Sequence, residues 1–487
     1  MINKLWKHVS MLGLVCMVVM MASCSRSEYK NAIPADAPVV MELDVKDVIK
    51  KSDFLAHKGE IADAIESIDD DPALQQIAEM LRGTDDFGLD FFSPMYVYVL
   101  PSLDDGCFLA SVRNRSEFVE KMTSLSNLVK FKESDGISWL YVEDALLGAV
   151  TKRHLLIGSA NDKDVYRDLL EQSGDECFFA SEAGKFMDSN AGDLTLSVNM
   201  DAMPREIFRM IERKIDDIVD PESIEWVKKC QVICNLEFSV GEIALNAFVS
   251  NIPEDQFTMP SKKISEEVFN YLPTNDLIGL IAMAIDPQTS NVDLLKETLE
   301  KEFRGEERVM FDKIFDILED VNGTGVVSVS GNDIENNPEL LCLLPIAKEN
   351  VASLVYDMNN MWGVDIQELG VNIDGDDNYT SITNAPDYNF APSAKFEYSS
   401  SAKTAYVYAY LDIDPFVDMA FDEMMRHASY AERKTYEKIK EMLDEADYME
   451  LKVEEMAEAS LALVLKSDNK NSLEVLLELL INAVNNL

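Results

Sequence analysis

Two stretches far apart in the chain, Asp193 to Pro204 and Thr404 to Pro415, lie over each other without a gap. Each reads as an alternating strand that runs into an acidic residue and a helix-opening proline. Two further pairs keep the same order. Ile33-Pro34-Ala35-Asp36 opens an apolar run from Val39 to Val45, and Leu272-Pro273-Thr274-Asn275 opens another from Ile278 to Ile285. Near each end comes a hairpin pattern. Val232, Cys234, Leu236 and Phe238 turn through Ser239 to Glu242 and return as Ile243, Leu245, Ala247 and Val249. The counterpart runs Met449, Leu451, Val453, turns at Glu454 to Met456, and returns as Ala459, Leu461, Leu463 and Leu465. Period two with one apolar face is the signature of half-buried antiparallel strands. Three matches in register predict an α+β protein of two similar repeats, each an antiparallel sheet with helices packed on one face.

The first repeat is expected over 33–255 and the second over 264–487, with the join in the polar, proline-bearing stretch 251–263. A chain of 487 residues, 47% hydrophobic, has material for more than one core. Helices interleave with the strands: Asn114 to Leu128 starts on Asn114 with Glu117 three residues on, and Asp162 to Glu171 carries Val165, Leu169 and Leu170 on one stripe. Tyr96 to Leu100 and Phe108 to Val112 read as another hairpin.

The amino terminus carries an address. Lys4 and Lys7 precede an apolar stretch from Met11 to Ala22, then Ser23 and Cys24. Charged, apolar, small is the order of a signal peptide, and the apolar run falls short of the about 20 residues that cross a bilayer. Met21-Ala22-Ser23-Cys24 resembles the lipobox of bacterial lipoproteins, which implies cleavage of residues 1–23, diacylglycerol on the Cys24 thiol, and a lipidated tether over 24–32. Two or three acyl chains make such an anchor durable where one would hold only marginally. Ser25 rather than aspartate after the cysteine resembles the outer-membrane sorting pattern, with the periplasmic face and the cell surface both open.

Charge narrows the partners. With 43 Lys+Arg against 89 Asp+Glu the net charge is −46, and loss of Lys4 and Lys7 makes the mature chain more acidic still. Such a surface repels phosphate, so nucleic acid and anionic head groups are poor partners; the membrane contact expected is the lipid alone.

With the lipobox, the segment Tyr29-Lys30-Asn31-Ala32-Ile33-Pro34-Ala35-Asp36 and the doubled plan, the chain resembles a Bacteroidota family of two-repeat lipoproteins of unknown function. The resemblance implies an outer-membrane lipoprotein and brings no catalytic residues with it.

Motifs for chemistry are sparse. His57, His154 and His427 have no second His or Cys at ligand spacing, so no metal or cofactor is expected. No P-loop and no GxSxG elbow appears. Cys107, Cys177, Cys230, Cys234 and Cys342 make no disulfide framework and read mostly as small buried residues. Asp69-Asp70-Asp71-Pro72 suits a helix start and Asp104-Asp105-Gly106 a turn. Asp374-Gly375-Asp376-Asp377-Asn378 begins like a calcium loop but has Tyr379 at the turn-glycine position and Ala385 where the bidentate glutamate belongs.

One contrast between the repeats marks a candidate face. Opposite Leu194, Leu196, Val198 and Met200 lie Thr195, Ser197 and Asn199; in the second repeat that other face carries Tyr406, Tyr408 and Tyr410. Three tyrosines in a row suit a sugar ring or a protein partner, or else are covered by a helix, a neighbouring domain or the aromatic-rich segment Tyr379 to Phe396. The function expected is that of a non-catalytic binding or structural envelope protein with a protein or glycan partner. The alternative is a hydrolase of envelope or polysaccharide polymer using a carboxylate pair.

Overall fold

In the computed structural model the described residues are 28–68, 88–101, 105–125, 128–205, 207–209, 226–252, 260–273, 277–287, 321–331, 338–362, 370–392, 396–427 and 443–485, with isolated positions between. The signal segment, Cys24 and Asp69-Asp70-Asp71-Pro72 lie outside them. The chain is α+β with extensive antiparallel sheet, and it divides into two compact units. The first draws on residues up to 239 with 249–251 and 471–487; the second is 240–248 with 252–470.

Among the described residues the first unit has nine antiparallel strands: β1 (Val39–Leu43), β2 (Met95–Val99), β3 (Gly106–Ser111), β4 (Val129–Ser134), β5 (Ile137–Val142), β6 (Ala145–Val150), β7 (His154–Gly158), β8 (Leu194–Asn199) and β9 (Gln231–Ser239). Their spatial order is β4-β5-β6-β7-β3-β2-β1-β8-β9. Helices α1 (Val45–Lys51), α2 (Phe54–Ile68), α3 (Arg115–Leu125), α4 (Lys163–Glu171) and α5 (Glu182–Ser189) interleave. Asn114 accepts from the Glu117 amide at 3.3 Å and donates to its carboxylate at 3.1 Å, the reciprocal cap its spacing predicts, and Asp162 caps α4. On α4 the residue sealed into the core is Tyr166, whose hydroxyl donates to Gly158 O at 2.8 Å, with Leu169 beside it.

The described residues begin inside the expected 24–32 tether. Glu28–Ala32 form a 3₁₀ turn with Tyr29 and Ala32 buried. The Tyr29 hydroxyl donates to Pro94 O at 2.6 Å, Tyr98 donates to Ala32 O at 2.8 Å, and Phe178 N donates to Ile33 O at 2.8 Å. Two large apolar side chains, Tyr29 and Ile33, draw this segment into the core with Tyr96, Tyr98 and Phe178.

The covered face of β8 is its polar one, paired with Gln231, Ile233 and Asn235 of β9. Thr195 and Ser197 are 0% and 1% exposed while the leucines are half-buried. Each polar group there is bonded: Gly192 N donates to Thr195 Oγ1, Gln231 Nε2 to Ser197 Oγ and Ala183 O, and Asn235 Nδ2 to Asn190 O. Satisfied hydrogen bonds remove the cost of burying these groups, and they lock α5 onto the strands.

The second unit carries β10 (Glu242–Val249), β11 (Leu277–Ile285), β12 (Gly323–Ser330), β13 (Glu339–Leu344), β14 (Asn372–Gly375), β15 (Thr380–Thr383), β16 (Val407–Asp412), β17 (Ala446–Glu455) and β18 (Glu458–Leu465). Their order is β10-β18-β17-β16-β11-β12-β13-β15-β14, again wholly antiparallel. Helices α6 (Lys348–Trp362), α7 (Ser399–Ala402) and α8 (Asp414–His427) belong here, as does a 3₁₀ helix, Glu266–Tyr271. The core gathers Val268, Phe269, Leu280, Ala282, Leu343 and Tyr408. The opposite face of β11 and β12 is apolar and open: the directly paired Ile281 and Val327 are 58% and 51% exposed.

The last helix, α9 (Ser472–Asn485), packs on α1, α2 and β9 of the first unit. Among the described residues no helix is long and apolar enough to cross a membrane.

Candidate functional site

Four separated segments of the second unit meet around a cleft of 680 Å³. The 3₁₀ helix contributes Glu267, Asn270 and Tyr271; the start of β12 contributes Asn322 and Gly323; the turn from β13 into α6 contributes Pro345, Ile346, Ala347 and Asn350; and the β14–β15 turn contributes Asp377, Asn378 and Tyr379.

Local chemistry fixes each wall. Ser265 caps the 3₁₀ helix by accepting from Glu267 N, and Ser265 N donates to Thr324 Oγ1 at 2.8 Å, tying that helix to β12. A methyl at Gly323 would sit 2.8 Å from Pro345 Cβ, so β12 and the floor touch only because this residue has no side chain. Thr380 Oγ1 donates to Ile346 O at 2.8 Å, and Lys348 N to Asp376 O at 3.1 Å, which joins the floor to the hairpin.

The segment that begins like a calcium loop is this hairpin's turn. Asp376 Oδ1 accepts from Asn378 N and Tyr379 N at 2.8 and 2.9 Å, an Asx-type turn, and Asp374 pairs with Lys348 Nζ at 2.7 Å. That ammonium holds the Asp374 carboxyl below its ordinary range. Asp374 and Asp376 thus each use Oδ1 to hold the turn and its neighbouring lysine.

Aromatic rings back the cleft. Tyr271 stacks on Phe390 at 4.7 Å between centroids and leans on Tyr379 at 5.7 Å. The Tyr388 hydroxyl donates to Tyr271 O at 2.8 Å. Burial pushes Tyr388 up to about 12 and raises Tyr271 and Tyr379, with Asp376 and Glu267 adding to the rise at both, so the phenols at the cleft stay protonated donors. The lining therefore offers four asparagine amides, two phenols, two exposed carboxylates, and no lysine, arginine, histidine or cysteine. This set can hydrogen-bond hydroxyl groups and lay a ring against tyrosine; it holds no nucleophile–base pair. Neither carboxylate is enclosed by apolar residues, the setting that makes one a general acid.

The tyrosine row lies in the packed core of the same unit. Tyr408 is 0% exposed and its hydroxyl donates to the buried Glu450 at 3.2 Å; Tyr406 and Tyr410 are half-buried. Phe396 meets Tyr408 and Tyr410 edge-on at 6.4 and 5.6 Å, and Tyr398 stacks on Tyr410 at 5.1 Å. Tyr448 lies 5.4 Å from Tyr410 and the Lys263 ammonium 5.3 Å from the Tyr406 ring, so the row packs against Phe396, Tyr398, Tyr448 and Lys263.

Of the histidines, His154 is pushed down to about 4 by burial, with Arg153 adding to the effect. His57, on α2, lies against Glu60 of the same helix and Glu478 of α9. Cys107, Cys177 and Cys230 are buried free thiols, and burial raises Cys107 to about 11. The cleft residues Asn270, Asn322 and Asn350 carry no mark in the sequence, because segments remote from one another supply them. Only the Asp376-to-Tyr379 turn was legible as a feature.

A scan against family models matches residues 29–357 to one described as a domain of unknown function, DUF4836. Among solved structures, those described as crystal forms I, IV and III of TP0453 align at 10%, 11% and 9% identity. They cover 45%, 44% and 73% of this chain and 80%, 80% and 91% of their own, with TM-scores of 0.24, 0.24 and 0.20. Likeness at that level says nothing about fold or function. No curated protein matches the chain. The chain belongs to the DUF4836 family.

Proposed function

We propose that this member of the family is a non-catalytic lipoprotein of the bacterial outer membrane, anchored through Cys24, whose second unit binds a neutral or amino-sugar glycan. The observation that carries the binding reading is the cleft lining: amides, phenols and carboxylates backed by stacked rings, without one basic side chain. Amides supply paired donors and acceptors for vicinal hydroxyls, while the two carboxylates disfavour an anionic ligand. The lipobox Met21 to Cys24 and the 89 acidic residues against 43 basic ones support an anchor made of lipid rather than charge.

The two units are read as repeats of one plan. In the first, β8-β1-β2-β3-β7-β6 are consecutive neighbours; in the second, β16-β11-β12-β13-β15-β14 are. The strands so aligned are the ones whose sequences correspond, β1 with β11 and β8 with β16, which supports duplication. Where β8 of the first copy carries Thr195, Ser197 and Asn199, β16 of the second carries Tyr406, Tyr408 and Tyr410, a divergence expected of a duplicated scaffold.

A glycan array probed with the full lipoprotein in mild detergent tests the binding. The expected result is capture of one neutral or amino-sugar class, weakened about tenfold or more by Asn350→Ala and by Tyr379→Ala, since each removes a group worth about 1.4 kcal/mol or more. Capture untouched by both substitutions, or none on the array, overturns the cleft as the site. Because Glu267 and Asp377 share the cleft, release of reducing ends in the same incubation would identify the hydrolase alternative instead.

A further inference from the structure

Helix α9 brings two carboxylates from the end of the chain to a histidine near its beginning. Glu474 and Glu478 stand one turn apart on the same stripe of α9, and His57 faces them from α2 within the first unit. One ligand atom from each of the three lies within 4.8 Å of the others. The His57 side chain is 17% exposed, with Nδ1 3.1 Å from Glu60 Oε2 and Nε2 3.9 Å from Glu478 Oε1.

We propose that His57, Glu474 and Glu478 form a binding site for one zinc-class divalent ion. The i,i+4 spacing sets both glutamates on the same face, as a two-ligand helix requires. Glu60 is the second element of the design: with Nδ1–H donated to that carboxylate, the ring is oriented and the Nε2 lone pair is left for a metal. One nitrogen and two oxygens match zinc and its neighbours, whose bonds to such atoms are about 2.0–2.2 Å, whereas calcium takes an all-oxygen shell. Tetrahedral ligands at that length sit about 3.4 Å apart, so groups now within 4.8 Å of one another close by up to about 1.4 Å on binding, within reach of glutamate torsions. Three protein ligands leave a fourth position for water. The ion would clamp α9 to α2 and so join the two ends of the chain inside one unit; this site is independent of the cleft.

Isothermal titration of the full lipoprotein in detergent, without a histidine tag, with zinc chloride tests the site, and calcium chloride is the comparison. One zinc per chain and no calcium heat are expected. His57→Gln and Glu474→Gln each weaken zinc at least tenfold, and Glu60→Gln weakens it about 10- to 100-fold through the ring. Saturating zinc raises the melting temperature of the unmodified protein by roughly 3 °C or more and leaves the variants unmoved. Should His57→Gln fail to fold by circular dichroism, Glu474→Gln and the exposed Glu60→Gln carry the comparison. No zinc heat at about 100 µM protein, or binding that survives all three substitutions, overturns the proposal.

Discussion

Glu42 points into the covered side of β1, directly paired with Tyr96 on one neighbour and Thr195 on the other, and is 7% exposed. Its Oε2 has no hydrogen-bond partner. Burial raises its pKa above the usual carboxylate value; Lys30, whose ammonium lies 4.5 Å from the Phe179 ring centre, pulls it partway back. Glu42→Gln keeps the shape and removes the charge. Burial penalises the charged form, so removing the charge is expected to make the variant more stable than the parent at pH 7 by an amount on the order of 1 kcal/mol. The sign with pH follows from proton binding. Between the unfolded value and the raised folded value the folded state holds more protons than the unfolded one, so the parent loses stability as pH rises through that interval. Below the unfolded value both states are protonated and the two proteins should converge. Urea unfolding followed at the buried Trp139 of the same unit, at pH 4, 5.5, 7 and 8, reads this directly. A variant weaker than the parent at pH 7, or a gap equally wide at pH 4, would show that Glu42 is held as a productive ion and refute the reasoning.

Other consequences can be measured in the same way. Lys51 donates to both oxygens of the 3%-exposed Asp193 at 2.7 and 2.6 Å, pinning α1 to β8; Lys51→Met should cost about 3 kcal/mol in urea unfolding, the low end for a broken buried pair because Phe238 N still donates to that carboxylate. With its pKa depressed to about 4, His154 should show no imidazole titration near pH 6.5 by NMR, and its contribution to stability, full above the unfolded value, is lost as pH falls from about 6.5 toward 4. Gly375→Ala would set a methyl 2.3 Å from Tyr379 O, so it should open the β14–β15 turn, speed amide exchange there and weaken glycan capture.

Sequence made the strand pattern legible where alternation was strong. The Asp193 and Thr404 stretches are β8 and β16, each pairing with the strand that the Ile33 and Leu272 segments introduce. The β4–β5–β6 meander went unread although Asp135-Gly136 is a hairpin signal; both residues have positive φ, as does the Glu143-Asp144 pair that turns the chain again. Alternation shows that the two faces of β8 differ without showing which is covered, because Gln231 of β9, which bonds Ser197 and the Ala183 carbonyl of α5, is brought there by tertiary contacts. At Tyr408 the aromatic row was visible, but its cover, Phe396 and Tyr398, comes from a loop whose path no local pattern fixes. The cleft and the His57 cluster share that cause: their residues are brought together by tertiary contacts, with His57 and Glu478 at nearly opposite ends of the chain.

The reading of this chain as an envelope binding protein stands on its address. Mass spectrometry of the amino-terminal peptide, taken from the membrane fraction of the native host, measures that address directly. The account predicts a peptide beginning at Cys24 and carrying a diacylglycerol mass, absent in Cys24→Ala. A peptide that retains Met1 to Ser23, or an unmodified Cys24 thiol on protein recovered from the soluble fraction, would contradict it.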